Sequence, residues 1–481
     1  MNGLENNKDR IIILGGGLAG LSAGYLLSGA GRDISVFESN PEVGGLSRTV
    51  EMGDFRFDLG GHRFFTNKER IERFVKELMD GELITVPRKS KIYLRNIYFD
   101  YPLKPSNVIL GLGVLTTFKI ITDFFKEMLK KHLRTSDIVS LEDWVVTNFG
   151  RTMFNLYFKE YSEKVWGTES ERISKEWVAK RIKGLSLGTA IKSAFFKFSK
   201  RGIATLADDF LYPSTGIGRI SEKLRDGINE GRSVITNTKI VRLNHNNHRI
   251  ETAIAKNCDL TYIVEGREFI STIPLTTLVQ ILHPKPPEDI LSSASKLRFR
   301  DLIIVTIAVN RERVTDLTWL YLPERKIPFG RIHEPKNWSS KMAPEGKTHI
   351  VTEHFCFEGD ETWIKSDAEL VKNTILGLED LGFFKSYEVV DSAVIRVPKA
   401  YPLFEIGYRE HYDKIINYFE RFENLHITGR GGMFRYHNMD DAIETGIETA
   451  EKIINNSKGY AMQDAGCRIL IPLNPPLVKG D

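Results

Sequence analysis

An α/β fold, with a parallel sheet at its amino-terminal end and a discontinuous α+β unit inserted into it, is predicted by three observations. The apolar run Ile11–Leu14 breaks at a glycine cluster and gives way to a helical pattern. A second apolar run, Asp33 to Phe37, ends at an acid, Glu38. Strand–turn–helix character then returns near residues 205–285 and 420–458, between stretches of different pattern.

The first run reads as a buried parallel strand. Gly15, Gly17 and Gly20 have the spacing G-x-G-x-x-G, and Leu18 to Ser28 continues as a helix. Gly15 permits the tight turn, Gly17 lets the backbone approach a pyrophosphate, and Gly20 lets the helix pack close to the strand. The helix N-terminus then aims its free N–H groups at phosphate. Glu38 lies eighteen residues past Gly20, where an acid can take the ribose hydroxyls. Strand, helix, second strand and acid in this order predict a Rossmann-type, dinucleotide-binding domain.

Composition bounds the remainder. A chain of 481 residues, 41% hydrophobic and 27% charged, has room for two or three domains with a large core. A net charge of +4 is too small to argue for nucleic acid. Cys258, Cys356 and Cys467 are far apart, without metal or redox spacing, and read as reduced thiols in a cytoplasmic protein with no metal. The polar start MNGLENNKDR reads as no signal peptide. Asn107 to Phe125 holds Lys119 and Asp123, a poor transmembrane span and a fair amphipathic helix.

Phe55 to Thr66 begins as a strand and carries a glycine pair before His62, which suggests close approach to something flat. Lys91–Tyr93 and Ile97–Tyr101 flank Arg95-Asn96 as a hairpin that Pro102 stops. From Ser106 to about Arg201 the pattern is helical, and Arg172–Arg201 holds nine basic residues against one acid, Glu176. That run fits a solvated face, an anionic ligand, or an anionic membrane surface, the last because Phe195, Phe196 and Phe198 lie among the lysines. Val234–Leu243, Glu268–Pro274, Arg300–Val309 and His349–Cys356 read as strands, Asp367–Gly382 as a helix. Leu425–Ile427 reads as a strand running into a glycine, and Asp440–Ile454 as a helix that Asn438 or Asp440 can cap. The implied organisation is one domain from 1–67, 205–285 and 420–458, a helical insertion over 68–204, a second sheet over 286–419, and a loose tail over 459–481.

Several segments together carry a family resemblance. Gly44-Gly45 just past Glu38, with Arg48 and Thr49 following, is similar to FAD-dependent amine oxidases and their relatives. Gly60-Gly61-His62, Tyr161-Ser162-Glu163-Lys164-Val165-Trp166-Gly167, Arg181-Ile182, Phe329-Gly330-Arg331-Ile332-His333-Glu334, Tyr401-Pro402, Gly429-Arg430 and Phe434 to Asp440 resemble UDP-galactopyranose mutases within that group. The resemblance implies FAD, required reduced, held by Gly15, Gly17, Gly20, Glu38, Gly44, Gly45, Arg48, Gly61, His62, Ile240, Gly429, Arg430, Asn438 and Met439. It implies a nucleotide sugar such as UDP-galactose, held by Tyr161, Trp166, Arg181, Arg331, Tyr401 and Tyr436. Arg331, Tyr401 and Tyr436 would grip the diphosphate, and Trp166 would stack beside the uracil or sugar.

The implied reaction is a ring contraction through an adduct of reduced-flavin N5, with no catalytic side chain and Arg331, Trp166, Tyr401 and Tyr436 in support. No carboxylate pair stands as in a glycosidase. Leu46 stands where an Arg often follows the glycine pair in the amine oxidase-like group, and Phe65 and Leu185 replace a His and an Arg of the bacterial mutase pattern. The oxidoreductase alternative therefore stays open, because protoporphyrinogen oxidases, desaturases and amine oxidases share the FAD framework. A homodimer and a peripheral membrane contact are further partners to test.

Overall fold

A computed structural model of the chain describes residues 9–101, 111–131, 137–181, 209–228, 233–258 and 260–461. The basic run beyond Arg181, Lys183, Leu185 and the tail from residue 462 lie outside the described residues.

The fingerprint folds as read. β1 (Ile11–Leu14) leads through the glycines into α1 (Leu18–Gly29), and β2 (Ile34–Phe37) follows. Every residue of both strands is buried, so their continuous apolar runs face core on both sides. With β9 (Val234–Ile235), β13 (Glu268–Ser271) and β20 (Leu425–Ile427) they form a five-stranded sheet ordered β20-β13-β1-β2-β9. All its pairs are parallel.

Three chain segments far apart in sequence thus meet in one sheet. The last is followed by a long helix, Met439–Ala461, which packs across α1. Gly446 makes that crossing close, since a Cβ there would strike the backbone of Ala19. The sequence reading of Val234–Leu243 as one strand needs correction. Asn237, at φ 52°, turns the chain after β9, and the continuation leaves the parallel sheet as β10 (Lys239–Asn246). β10 joins β11 (Arg249–Asn257), β12 (Leu260–Glu265) and β14 (Leu282–His283) in a sheet ordered β12-β11-β10-β14.

The second large sheet is ordered β19-β15-β18-β17-β16-β6-β7. Its strands are β6 (Ser90–Leu94), β7 (Ile97–Asp100), β15 (Phe299–Val309), β16 (Trp319–Tyr321), β17 (Arg331–His333), β18 (Thr348–Cys356) and β19 (Val389–Pro402). All neighbours run antiparallel except β16 and β6. The β6–β7 hairpin turns at Arg95-Asn96, both at positive φ, and adds its edge to a sheet made mostly of residues beyond 298. Two short pairs, β3 (Thr49–Met52) with β4 (Phe55–Asp58) and β5 (Leu83–Pro87) with β8 (Asp209–Pro213), bridge the two large sheets.

Asp58 fastens this bridge. Its buried carboxylate accepts from the Tyr212 hydroxyl (2.6 Å), the Thr49 hydroxyl (2.7 Å) and the Ile217 amide (3.1 Å). Burial nonetheless pushes its pKa up to about 6. The helical layer over the sheet edge contains α2 (Val114–Lys131), α3 (Leu141–Phe149), α4 (Lys159–Trp166) and α5 (Lys175–Arg181). We label the long final helix, Met439–Ala461, α6.

Candidate functional site

A cavity of about 1030 Å³ runs from the carboxyl end of the parallel sheet to the face of the antiparallel one. That exceeds the ~300–1,000 Å³ of ordinary ligand pockets and suits an extended dinucleotide with room beside it.

The parallel-sheet end is built from backbone. At Gly20 a Cβ would run into the carbonyl oxygen of Gly15, so only glycine lets α1 rise this close to β1. Gly17, which caps α1, has nothing within 4 Å of where its Cβ would be, and it opens onto the cavity. Unsatisfied N–H groups of the first turn therefore face the space where a pyrophosphate would lie. Glu38 ends β2 at the cavity wall, its carboxylate fixed by the amides of Gly16 (2.8 Å) and Asn40 (2.8 Å) and by the Asn40 side chain (2.7 Å). Gly44 donates its amide to Gly16 (2.7 Å), which locks the second glycine pair, Gly44-Gly45, against the first.

Arg48, Ile240, Gly429, Arg430, Asn438 and Met439 also line the cavity. The Nε atoms of Arg48 and Arg430 are buried without a hydrogen-bond partner among the described residues. Buried donors without partners are costly, and a flavin dinucleotide's phosphates and ring carbonyls would satisfy them. The residues present fit FAD.

Gly61 and His62 stand at the middle of the cavity. A Cβ on Gly61 would land inside the Trp319 ring, so the glycine lets the indole lie against the backbone. His62 donates its Nδ1–H to the Gly60 carbonyl (3.3 Å). Burial, then the Arg430 charge, holds its pKa down at about 4, so the ring is neutral at physiological pH.

The far wall is made of side chains. Arg331 on β17 stands directly opposite Glu353 on β18, and they form a buried ion pair at 2.8 Å. The guanidinium also donates to the Tyr401 hydroxyl (3.0 Å) and lies 4.8 Å from the Phe355 ring centre. Tyr401, from β19, stacks on Tyr436 with centroids 5.8 Å apart and planes at 20°. Arg430 covers this pair, 4.3 Å from the Tyr436 centroid and 5.0 Å from Tyr401. Two cations and two phenols thus converge beside Gly61. Arginine forks match phosphate oxygens and tolerate aromatic neighbours.

The structure separates the remaining sequence-predicted residues from this group. Trp166 does not line the cavity: it is buried behind the tyrosines, edge-on at 6.2 Å to Tyr401 and 6.4 Å to Tyr436. Its position suits supporting the pair more than stacking on a ligand. Tyr161 is edge-on to Tyr321 at 5.9 Å and is likewise outside the lining. Arg181 lies at the end of α5, and its side chain is outside the described residues.

Arg300 donates to the carbonyls of Val165 (2.9 Å) and Phe355 (2.9 Å), which pins the end of α4 to the sheet. Lys164 donates to the carbonyls of Leu322 (2.8 Å), Glu324 (2.9 Å) and Phe329 (2.7 Å) and so holds the loop that delivers Arg331. Sequence reasoning missed Trp319, Tyr321 and Glu353. The alternation in Trp319-Leu320-Tyr321 is an available signal, and Glu353 sits inside the strand that the sequence predicts over His349–Cys356. Among the described residues no group of three or more His, Cys, Asp or Glu could hold a metal.

Comparisons with known proteins agree with this geometry. A family model described as flavin containing amine oxidoreductase matches residues 18–454. L-amino-acid oxidase of Crotalus adamanteus is 33% identical over 164 residues, 30% of this chain and 32% of that protein. The enzyme of Pseudechis australis is 33% identical over 128 residues, 22% of this chain and 24% of that protein. The chain therefore matches about a third or less of the length of these relatives.

Among solved structures, reduced UDP-galactopyranose mutase superposes with a TM-score of 0.79 at 20% identity, covering 94% of this chain and 95% of the other. A putative protoporphyrinogen oxidase from Exiguobacterium superposes at 0.71 with 15% identity, over 94% and 100%. Putrescine oxidase bound to putrescine superposes at 0.62 with 15% identity, over 93% and 99%. At such identities the superpositions show a shared Rossmann-type, FAD-binding fold. With the family model spanning most of its length, the chain belongs to the flavin-containing amine oxidoreductases and is an FAD-dependent enzyme.

Proposed function

We propose that this enzyme acts on a nucleotide sugar and rearranges its ring in the manner of UDP-galactopyranose mutase, without net oxidation. The observation that carries the reading is the pair of guanidiniums, Arg331 and Arg430, on the faces of Tyr401, Tyr436 and Phe355. Aromatic faces that could have received an alkylammonium already carry cations. The site therefore favours an anionic ligand over an amine.

In this reading a bound reduced flavin would supply an electron-rich nitrogen, and Gly61, which lines the middle of the cavity, would leave room for it. Arg331 and the Tyr401 hydroxyl bind the diphosphate, and Glu353 holds the Arg331 fork in one orientation. The tyrosine pair excludes water from the sugar, and Trp166 keeps the pair in place. Neutral His62 adds no charge that would hold the anion in the wrong place. Among the described residues Cys258 and Cys356 form no disulfide, which supports a reducing, cytoplasmic location.

A second reading, oxidation of an amino acid, is supported by the L-amino-acid oxidase matches. The test is to supply dithionite-reduced enzyme with UDP-galactose, trap with cyanoborohydride, and weigh the flavin. A flavin–hexose mass with furanose product supports the mutase. Dioxygen consumption with an amino acid, and no hexose mass, replaces it with the oxidase.

A further inference from the structure

Among the described residues the helix α2, Val114–Lys131, is packed on one side only. Ile120 and Phe124 are buried against the helices around α3, and Asp123 accepts from the Thr152 amide (3.1 Å) and hydroxyl. On the other side Val114, Leu115, Phe118, Ile121, Phe125, Met128 and Leu129 are exposed, Leu115 to 87%, Phe118 to 66% and Leu129 to 65%. At the helical repeat these seven fall within an arc of about 140°. Lys119, Lys126 and Lys130 follow one edge of that arc and are exposed. The β6–β7 hairpin extends the patch with exposed Ile97 and Tyr98. Ile97 lies 3.4 Å from the Cβ position of Gly111, just before α2. Apolar patches of this extent mark an interaction surface.

We propose that α2 docks the enzyme on an anionic lipid bilayer, lying in the headgroup plane with Phe118, Phe125 and Leu129 entering the acyl boundary. An apolar face bordered by lysines is the pattern of an interfacial helix. Eighteen residues give a rod about 27 Å long. No described helix is long and apolar enough to cross a membrane, so α2 lies on the surface.

Charge selects lipid over a second copy of the chain. The two acids beside the lysine edge are both engaged, Asp123 by Thr152 and Glu127 by Lys130 at 2.9 Å. An antiparallel two-fold contact through this stripe would set lysine row beside lysine row with no acidic row between. Phosphate headgroups answer Lys119 and Lys126. The inference is independent of which substrate the cavity takes.

The test is co-sedimentation of the full-length, FAD-loaded protein with vesicles of phosphatidylcholine alone or mixed with phosphatidylglycerol. The expected result is binding to the mixed vesicles that falls with added salt. Phe118→Ser with Phe125→Ser should weaken it on the order of a hundredfold. Lys119→Glu with Lys126→Glu should weaken it roughly tenfold or more. Flavin absorbance and turnover in solution should stay unchanged in both variants. Wild type that remains in the supernatant with mixed vesicles at low salt overturns the proposal. So does binding that survives both double variants. If wild type ignores vesicles and light scattering shows the Phe118→Ser, Phe125→Ser variant splitting a dimer, the stripe is a contact between copies and the lipid assignment falls.

Discussion

The two ends of the cavity are built by different means. At the parallel sheet the wall is mostly backbone: the first turn of α1, the locked glycine pairs and a carboxylate held by the Gly16 and Asn40 amides. At the antiparallel sheet it is made of side chains: an ion pair across β17 and β18, a phenol from β19 and another from the loop before α6. A backbone site is spoiled by adding atoms, and a side-chain site by removing them. The two ends therefore fail in opposite ways, and each can be broken while the other is left standing.

The largest effect is expected from Gly17→Val. In the protein alone the new side chain meets nothing within 4 Å at its Cβ, so the fold should survive, but it occupies the path of the pyrophosphate. Flavin absorbance should be lost while circular dichroism stays native. A yellow Gly17→Val protein would mean that the cofactor lies elsewhere.

Next in size is Arg331→Ala. It removes two charge-assisted contacts, each worth about 1.5–3 kcal/mol, and leaves Glu353 buried without its cation, a loss of about 3–5 kcal/mol in comparable pairs. Affinity for UDP should fall on the order of a hundredfold or more, with FAD retained. Arg331→Lys should recover part of the stability and little of the affinity, because a point charge lacks the fork. Titration of UDP against flavin-loaded variants decides it, and equal affinity in wild type and Arg331→Ala would remove Arg331 from the site.

Acid should act on stability rather than on ligand binding. Burial holds His62 and His349 down at about 4, and His333 and His354 at about 3. The unfolded chain takes up these protons near pH 6.5 and the folded chain does not. Stability is thus fully present above about 6.5 and is lost as pH falls toward 4, at up to about 1.4 kcal/mol per pH unit for each histidine. His333, His349 and His354 all sit in the antiparallel sheet, so that half should soften first. Melting curves at pH 7.5 and 5 should show a drop, and a smaller one in His349→Gln. A melting temperature that does not change over this range would contradict the burial of neutral rings.

The smallest effect is expected from Trp166→Phe. Its indole supports the tyrosine pair from behind, and aromatic edge contacts are worth about 0.5–1.5 kcal/mol. Turnover should fall roughly two- to tenfold with UDP affinity nearly kept. A loss as large as that of Arg331→Ala would put Trp166 in contact with the ligand after all.

The parallel-sheet end was legible because its chemistry is local. Three glycines, two apolar runs and an acid within 28 residues, Ile11 to Glu38, specify turn, helix start and close packing through rules that need no distant partner. The hairpin at Arg95-Asn96 and the strands β15, β18 and β20 were readable for the same reason, from period and turn residues. Arg331, Tyr401, Arg430 and Tyr436 were reached only through a family resemblance, since one arginine or tyrosine has no local signature.

What the tertiary structure alone decided was who meets whom. Pairing of β17 with β18 puts Glu353 on Arg331. The β16 strand swings Trp319 over Gly61, 258 residues away along the chain. The turn at Asn237 divides what looked like one strand between two sheets. These outcomes depend on sheet register and on the packing of surfaces from remote segments, and a one-residue change of register would face every side chain the other way. Sequence period can say that a strand exists, but its neighbours are chosen by the burial of the whole.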